Sequence, residues 1–188
     1  MTSNKFLIKD LTGTSGRLDI IFRCILAAFS FGFDNISFHT VLHGLPHPPK
    51  SVEFVGNRLK ELPIDEIRLA RLFQRLLDPQ HPASIKGIVV SNTSFLQVAE
   101  NLSKEGALFL LKEGSPAFPQ YLKDNIEGIL DQSSLTFVLS DYTDLEQDEE
   151  QFFLKNLNAT PISLGTQSHL ASHCIIFLLL ELQKYEKN

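Results

Sequence analysis

The chain has 188 residues, 43% of them hydrophobic and 21% charged, which suits one domain with a proper core and excludes a disordered chain. No apolar run reaches the roughly 18 residues that span a membrane, and residues 1–9 lack the apolar core of a signal peptide. The formal net charge is −5, which does not advertise a nucleic-acid binder, but it is unevenly spread. Residues 1–94 carry 11 Lys and Arg against 8 Asp and Glu, a balance of +3, whereas residues 95–188 carry 6 against 14, a balance of −8. Candidates for facing a polyanion therefore lie in the first half: Arg17, Arg23, Lys50, Arg58, Lys60, Arg68, Arg71 and Arg75. A solvated surface with an incidental asymmetry would read the same way.

In chain order, Lys5 to Lys9 (KFLIK) alternates like a short strand, and the Gly, Ser and Thr of Asp10 to Gly16 predict a loop. Arg17 to Phe31 reads as a helix, with Ile20, Ile21, Cys24, Ile25, Ala28 and Phe29 at helical spacing. Ser37 to Leu42 is a buried strand broken by GLPHPPK (Gly44 to Lys50), and Val52 to Val55 is a second strand. Pro63 starts a helix with Ile64, Ile67, Leu69, Leu72, Leu76 and Leu77 mostly along one face and Arg68, Arg71 and Arg75 on another.

The second half alternates more regularly. Strands are expected at Ile85 to Val90, Ala107 to Leu111, Leu135 to Leu139 and Thr160 to Leu164. Helices are expected at Ser94 to Leu102, within Ser115 to Asp131, at Asp144 to Leu157 and at Ser168 to Tyr185. Apolar strands separated by helices predict a single α/β domain over residues 1–188, its parallel sheet covered on both faces. The last helix is apolar all around through Cys174 to Leu180, so it is expected to be buried on all sides, either internally or by a second subunit.

The motifs exclude several chemistries. Neither GxGxxG nor GxxxxGKS/T occurs, which argues against dinucleotide and ATP enzymes. A cofactor without phosphate needs only an apolar slot and backbone donors and acceptors at strand ends. Such ends occur at Phe109 to Gly114, Phe137 to Asp141 and Ile162 to Gly165, although spacing alone makes them ordinary strand ends. His169 and His173 are four apart beside Cys174, but no further ligand stands at metal-site spacing and no metal is expected. His39, His43 and His47 fall across a strand and a Pro-rich loop and read as ordinary histidines. Cys24 reads as core, and the two cysteines suit a reducing cytoplasm. Arg17 and Asp19 open a helix, where Asp19 favours the dipole and Arg17 could meet a phosphate.

Four segments in order resemble one family: GTSGRLDIIFRCILAAF (Gly13 to Phe29), HGLPHPPKSVEFVGNRLKEL (His43 to Leu62), FVLSDY (Phe137 to Tyr142) and ISLGTQSHLASHCIIFLLLEL (Ile162 to Leu182). Together they are similar to the tRNA pseudouridine-54 N1-methyltransferases of the SPOUT superfamily. The resemblance implies a C-terminal trefoil knot, a homodimer built on the knot region, an RNA substrate and S-adenosyl-L-methionine as cofactor. It places cofactor contacts at Leu110, Ser140, Ile162, Ser163, Leu164, Gly165, Thr166, Gln167, Ser168 and Cys174. Arg17 and Arg23 match residues expected near the substrate, and Asp19 is the candidate to take the proton from N1 of the base. Departures from the family pattern are Ser140 and Tyr142 for Gly and His, Thr166 for Pro, and His169, Leu170 and Ser172 for Leu, His and Asp. The alternatives are a dimer that binds cofactor or RNA without transfer, and transfer to a different RNA position.

Overall fold

Each half of the sequence builds its own three-stranded sheet, one antiparallel and one parallel. A computed structural model describes residues 3–13, 15–32, 34–140 and 143–185. The chain divides into two compact units, Met1–Phe95 and Leu96–Asn188.

In the first unit, β1 (Ser37–Leu42) and β2 (Lys50–Val55) form a hairpin, and β3 (Ile88–Ser91) pairs antiparallel with β2. The parallel arrangement expected for the whole chain does not extend here. Only seven residues, His43 to Pro49, join β1 to β2, whereas a parallel crossover needs about a dozen or more. The register sets Phe38 opposite Phe54 and Thr40 opposite Val52, and Val52 and Phe54 are fully buried. Helix α1 (Leu18–Ala28) contributes Phe22 and Ile25 to this core, and α2 (Glu66–Leu76) contributes Leu69, Phe73 and Leu76. The Phe73 ring lies 5.0 Å from Phe22 and 6.0 Å from Phe54, which ties both helices to the sheet. Helix α2 starts three residues after Pro63, because Asp65 caps it by accepting the Arg68 N–H at 2.8 Å. Residues Lys5 to Lys9 are not a strand. Ile8–Asp10 is a single 3-10 turn, and Phe6 is anchored in the core with its carbonyl accepting from Gln74 at 3.1 Å.

In the second unit, α3 (Phe95–Ser103), β4 (Ala107–Leu111), α4 (Phe118–Leu130), β5 (Leu135–Val138), α5 (Gln147–Gln151), β6 (Thr160–Ile162) and α6 (Ala171–Gln183) alternate along the chain. The strands run parallel in the order β5-β4-β6, so β4 is central. This is an α/β unit with helices packed on a parallel sheet. Phe109, Phe118, Leu122, Ile129, Ile162 and Leu178 form its core, and Phe109 stacks on Phe137 at 5.1 Å. The acidic stretch after Asp144 is shorter as α-helix than expected. Glu146 and Glu149 close a capping box, and α5 then widens into a π-turn over Phe152–Asn156.

Helix α6 departs from its expected burial. Only Leu178 is buried, Cys174 to Phe177 are half-buried, and Leu180 is 45% exposed. Among the described residues, no helix is long and apolar enough to cross a membrane.

Candidate functional site

The carboxyl ends of β4, β5 and β6 fall at one end of the parallel sheet, where α/β folds open their ligand crevice. Leu110 sits in the central strand between Val138 and Pro161 and is fully buried. Ser140 lies two residues past β5 and is half-buried. Asp141 and Tyr142, which complete the FVLSDY segment, lie outside the described residues.

The loop after β6 is pinned at its start and open beyond it. Ser163 is buried, its N–H donates to the Pro116 carbonyl at 2.9 Å, and its carbonyl accepts from Phe118 N–H at 2.8 Å. Its hydroxyl donates to the Ser115 carbonyl at 2.8 Å, so this side chain is engaged in fastening two loops together. Lys112 N–H donates to the Ile162 carbonyl at 2.8 Å, completing the seam between the loop after β4 and the loop after β6. Leu164 packs on the core. Gly165 then turns the chain with φ +126°, a conformation L side chains rarely adopt, with open space where a Cβ would stand. Thr166, Gln167, Ser168 and His169 are exposed. Among the described residues, none accepts a hydrogen bond from the backbone N–H groups of residues 165–168.

Cys174 follows in the first turn of α6, its Sγ 3.9 Å from the His169 carbonyl. Burial pushes its thiol above the ordinary value of 9.0, and a backbone hydrogen bond only partly offsets this. The shift keeps the thiol in its neutral form, the form that suits an apolar contact. A separate cavity of about 600 Å³ opens over Ala107, Phe109, Tyr121, Asn125 and Thr160. It includes the first residues of β4 and β6, the opposite end of the sheet, and none of the predicted cofactor contacts line it.

In the first unit, Gly16 and Arg17 both have positive φ, 68° and 60°, so the chain turns sharply into α1. This turn lays Arg17 over Asp19, with Nε donating to Oδ1 at 3.0 Å and a terminal N–H to Oδ2 at 3.2 Å. Arg23, one turn on, donates to the same Oδ2 and, through Nε, to the Asp19 carbonyl at 3.2 Å. Asp19 is buried, whereas each arginine side chain is 39% exposed. Burial pushes the Asp19 carboxyl upward, but the hydrogen bonds and charges of Arg17 and then Arg23 outweigh it and hold the group below its ordinary 3.8. The carboxylate is therefore ionised and held between two guanidinium groups, which it fixes in place. Arg23 Nε also lies 3.6 Å from Glu66 Oε1, which links the cluster to the first turn of α2.

Sequence reasoning did not single out Glu66 or Ser115, and it had Lys112 only within the strand end Phe109 to Gly114. The i,i+4 spacing of Asp19 and Arg23 was a usable signal for their pair. The Ser163–Ser115 seam joins residues 48 positions apart and leaves no local trace.

Comparisons with known proteins bear on the family and the fold. Residues 1–186 match the family described as "Putative SAM-dependent RNA methyltransferase". The tRNA (pseudouridine(54)-N(1))-methyltransferase of Methanococcus vannielii is 32% identical over 187 residues, covering 95% of this chain and 90% of the relative. The enzyme of the same name from Thermococcus gammatolerans is 35% identical, covering 94% and 89%. Among solved structures, Archaeoglobus fulgidus Nep1 bound to S-adenosylhomocysteine superposes with a TM-score of 0.63 at 16% identity, covering 94% of this chain and 76% of that one. That likeness speaks to the fold.

Proposed function

We propose a function from one premise: the chain belongs to the SAM-dependent RNA methyltransferase family, whose profile spans both of its units. It is an S-adenosyl-L-methionine-dependent RNA methyltransferase, and its reaction is methylation of N1 of pseudouridine in tRNA. The observation that carries this is the 32–35% identity, over nearly the full length, to enzymes named for that reaction. Residues 1–188 work as one SPOUT domain, with a knot threaded at the loop after β6.

The residues at the carboxyl end of the parallel sheet fit an adenosine cofactor. Backbone donors at residues 165–168 that no described residue accepts from, a left-handed Gly165 with open space beside it and a neutral Cys174 suit a ligand that carries no phosphate. Leu110, Ser140, Ile162, Leu164, Gly165, Thr166, Gln167, Ser168 and Cys174 would hold it, with Ser163 fixing the loop. When bound, the cofactor supplies a methyl group on a good leaving group, so the protein's task is chiefly to position.

Arg17 and Arg23 bind the RNA through phosphates or base carbonyls, which guanidinium forks match well. Asp19 holds both arginines in place and keeps their charge directed outward. The target base enters flipped from a loop region, where its edge is accessible. The chain acts as a homodimer whose interface includes α6. An apolar helix with a single buried residue, preceded by Leu170 at 56% exposure, has the composition of an interface core. It works in the cytoplasm, where tRNA is modified and its two free cysteines stay reduced.

Incubation with tritiated cofactor tests the reading. Label is expected to enter tRNA that carries pseudouridine and not the matching transcript with uridine at that position. Label in both would redirect the reaction to another RNA position. Cofactor binding without label in either would make the chain a binding module.

A further inference from the structure

We propose that the outer face of α2 is a phosphate-tracking surface that carries RNA beyond the target nucleotide, through Arg71 and Arg75 with Arg68 at its edge. This rests on the RNA-methyltransferase reading above and extends it to residues that no relative's name assigns.

The helix geometry sets the arginines together. Leu69, Ala70, Leu72, Phe73 and Leu76 face the core, which leaves the opposite side of α2 in solvent. At about 100° per residue, positions 68, 71 and 75 fall within an arc of about 60° on that side, in a row about 10 Å long. All three are exposed. Solvated helix faces ordinarily mix charge signs at i,i+3 and i,i+4. Here no acidic residue occurs between Ile67 and Leu77. Of the two carboxylates at the start of α2, one partly offsets Arg68 at the edge of the row and neither reaches Arg71 or Arg75. Asp65 caps the helix and pairs with Arg68 at 3.3 Å, and Glu66 faces Arg23 at 3.6 Å. Among the described residues, no carboxylate lies within ion-pair distance of Arg71 or Arg75.

The residue type matters as well. Every cation in the row is arginine, whose planar fork meets phosphate oxygens in pairs, where lysine offers a point charge. The Arg23–Glu66 contact places the Arg17–Asp19–Arg23 cluster at the amino-terminal end of α2, on the side of Ala70 and Phe73 and not on the side of the arginine row. Arg75 in the last turn also favours the helix dipole, but Arg71, in mid-helix, gains little from it.

The test compares the full-length wild-type protein with R71Q/R75Q and with K104Q/K123Q, a control that removes two exposed positive charges from the second unit. Fluorescence anisotropy with labelled tRNA is run from 50 to 200 mM KCl, with S-adenosylhomocysteine binding as the check on folding. Each lost phosphate contact lowers the slope of log K against log salt by about 0.7 on single strands and 0.9 on duplex. R71Q/R75Q should therefore lose about 1.4 to 1.8 of slope, and roughly 25- to 60-fold of affinity at 0.1 M salt. It should bind S-adenosylhomocysteine as wild type does, and the control should keep the wild-type slope. An unchanged slope in R71Q/R75Q, or an equal loss in the control, overturns the proposal and leaves the methyltransferase reading intact. If the wild type binds tRNA with the expected salt dependence but transfers no methyl group to it, the reaction assignment fails and the surface stands. A wild type with no salt-dependent tRNA binding overturns both.

Discussion

At the residue scale the account turns on Asp19, a buried carboxylate gripped by two half-exposed arginines. Its pKa is depressed in the folded state, so its contribution to stability is present above about pH 4 and lost as pH falls through the folded value. Asp19→Asn removes the charge, keeps the volume and leaves both arginines short of an acceptor. It should cost about 1–3 kcal/mol in urea unfolding at pH 7, with the difference from wild type shrinking below pH 4. If Asp19 positions and does not take the proton, Asp19→Asn should raise KM for tRNA more than it lowers kcat. It should also leave the pH–rate profile unchanged in shape. Cys174 gives a second prediction. With its thiol raised above 9.0, alkylation by iodoacetamide should be slower at pH 7 than that of an unshifted thiol and should still be rising beyond pH 9, and Cys174→Ala should retain turnover. Fast labelling at neutral pH together with loss of activity in Cys174→Ala would make it a nucleophile.

At the element scale, the turn after β6 and helix α6 each carry a test. Gly165 has open space for a methyl group, so Gly165→Ala would strain only the backbone at φ +126°, by about 1–3 kcal/mol. S-adenosylhomocysteine affinity by calorimetry should fall roughly tenfold while far-UV dichroism is unchanged. On α6, Leu180→Asp adds a charge to an already exposed position and should leave the fold intact. Light scattering should then report a dimer for the wild type, as the proposed α6 interface requires, and a monomer for the variant; two species of the same mass would contradict that interface. How well the sequence revealed each element depended on length and pattern. The continuous apolar runs of β4 and α6 were legible, and β4 has the boundaries its pattern implied. Residues Lys5 to Lys9 misled because five alternating residues fit a strand or a turn equally well. The β1–β2 hairpin was hidden by seven loop residues without a tight-turn pair, and so the antiparallel sheet was read as parallel. The proposed cofactor loop could not be read from its residue types, because backbone donors leave no side-chain signature. Resemblance in four ordered segments marked it instead.

At the scale of the whole molecule, charge and family membership converge. A net charge of −5 conceals a first half of +3 that holds the Arg17–Asp19–Arg23 cluster and the α2 row, while the acidic excess sits in the half that holds the proposed cofactor loop. RNA affinity should therefore follow substitutions in residues 1–94 and be nearly indifferent to neutralising lysines of residues 95–188. Of the departures from the family pattern, Ser140 lies past β5 and Tyr142 lies outside the described residues, while Thr166, His169, Leu170 and Ser172 lie in or just after the exposed loop. None of the latter disturbs the Ser163 seam or the core, so cofactor binding should survive them. The measurement that tests the central claim most directly is nucleoside mass spectrometry of pseudouridine-containing tRNA digested after reaction with the protein and a deuterated-methyl cofactor. The account predicts one labelled methyl group on the base of a single pseudouridine, at N1. Label on any other nucleoside, or none despite measurable S-adenosylhomocysteine binding, would contradict it.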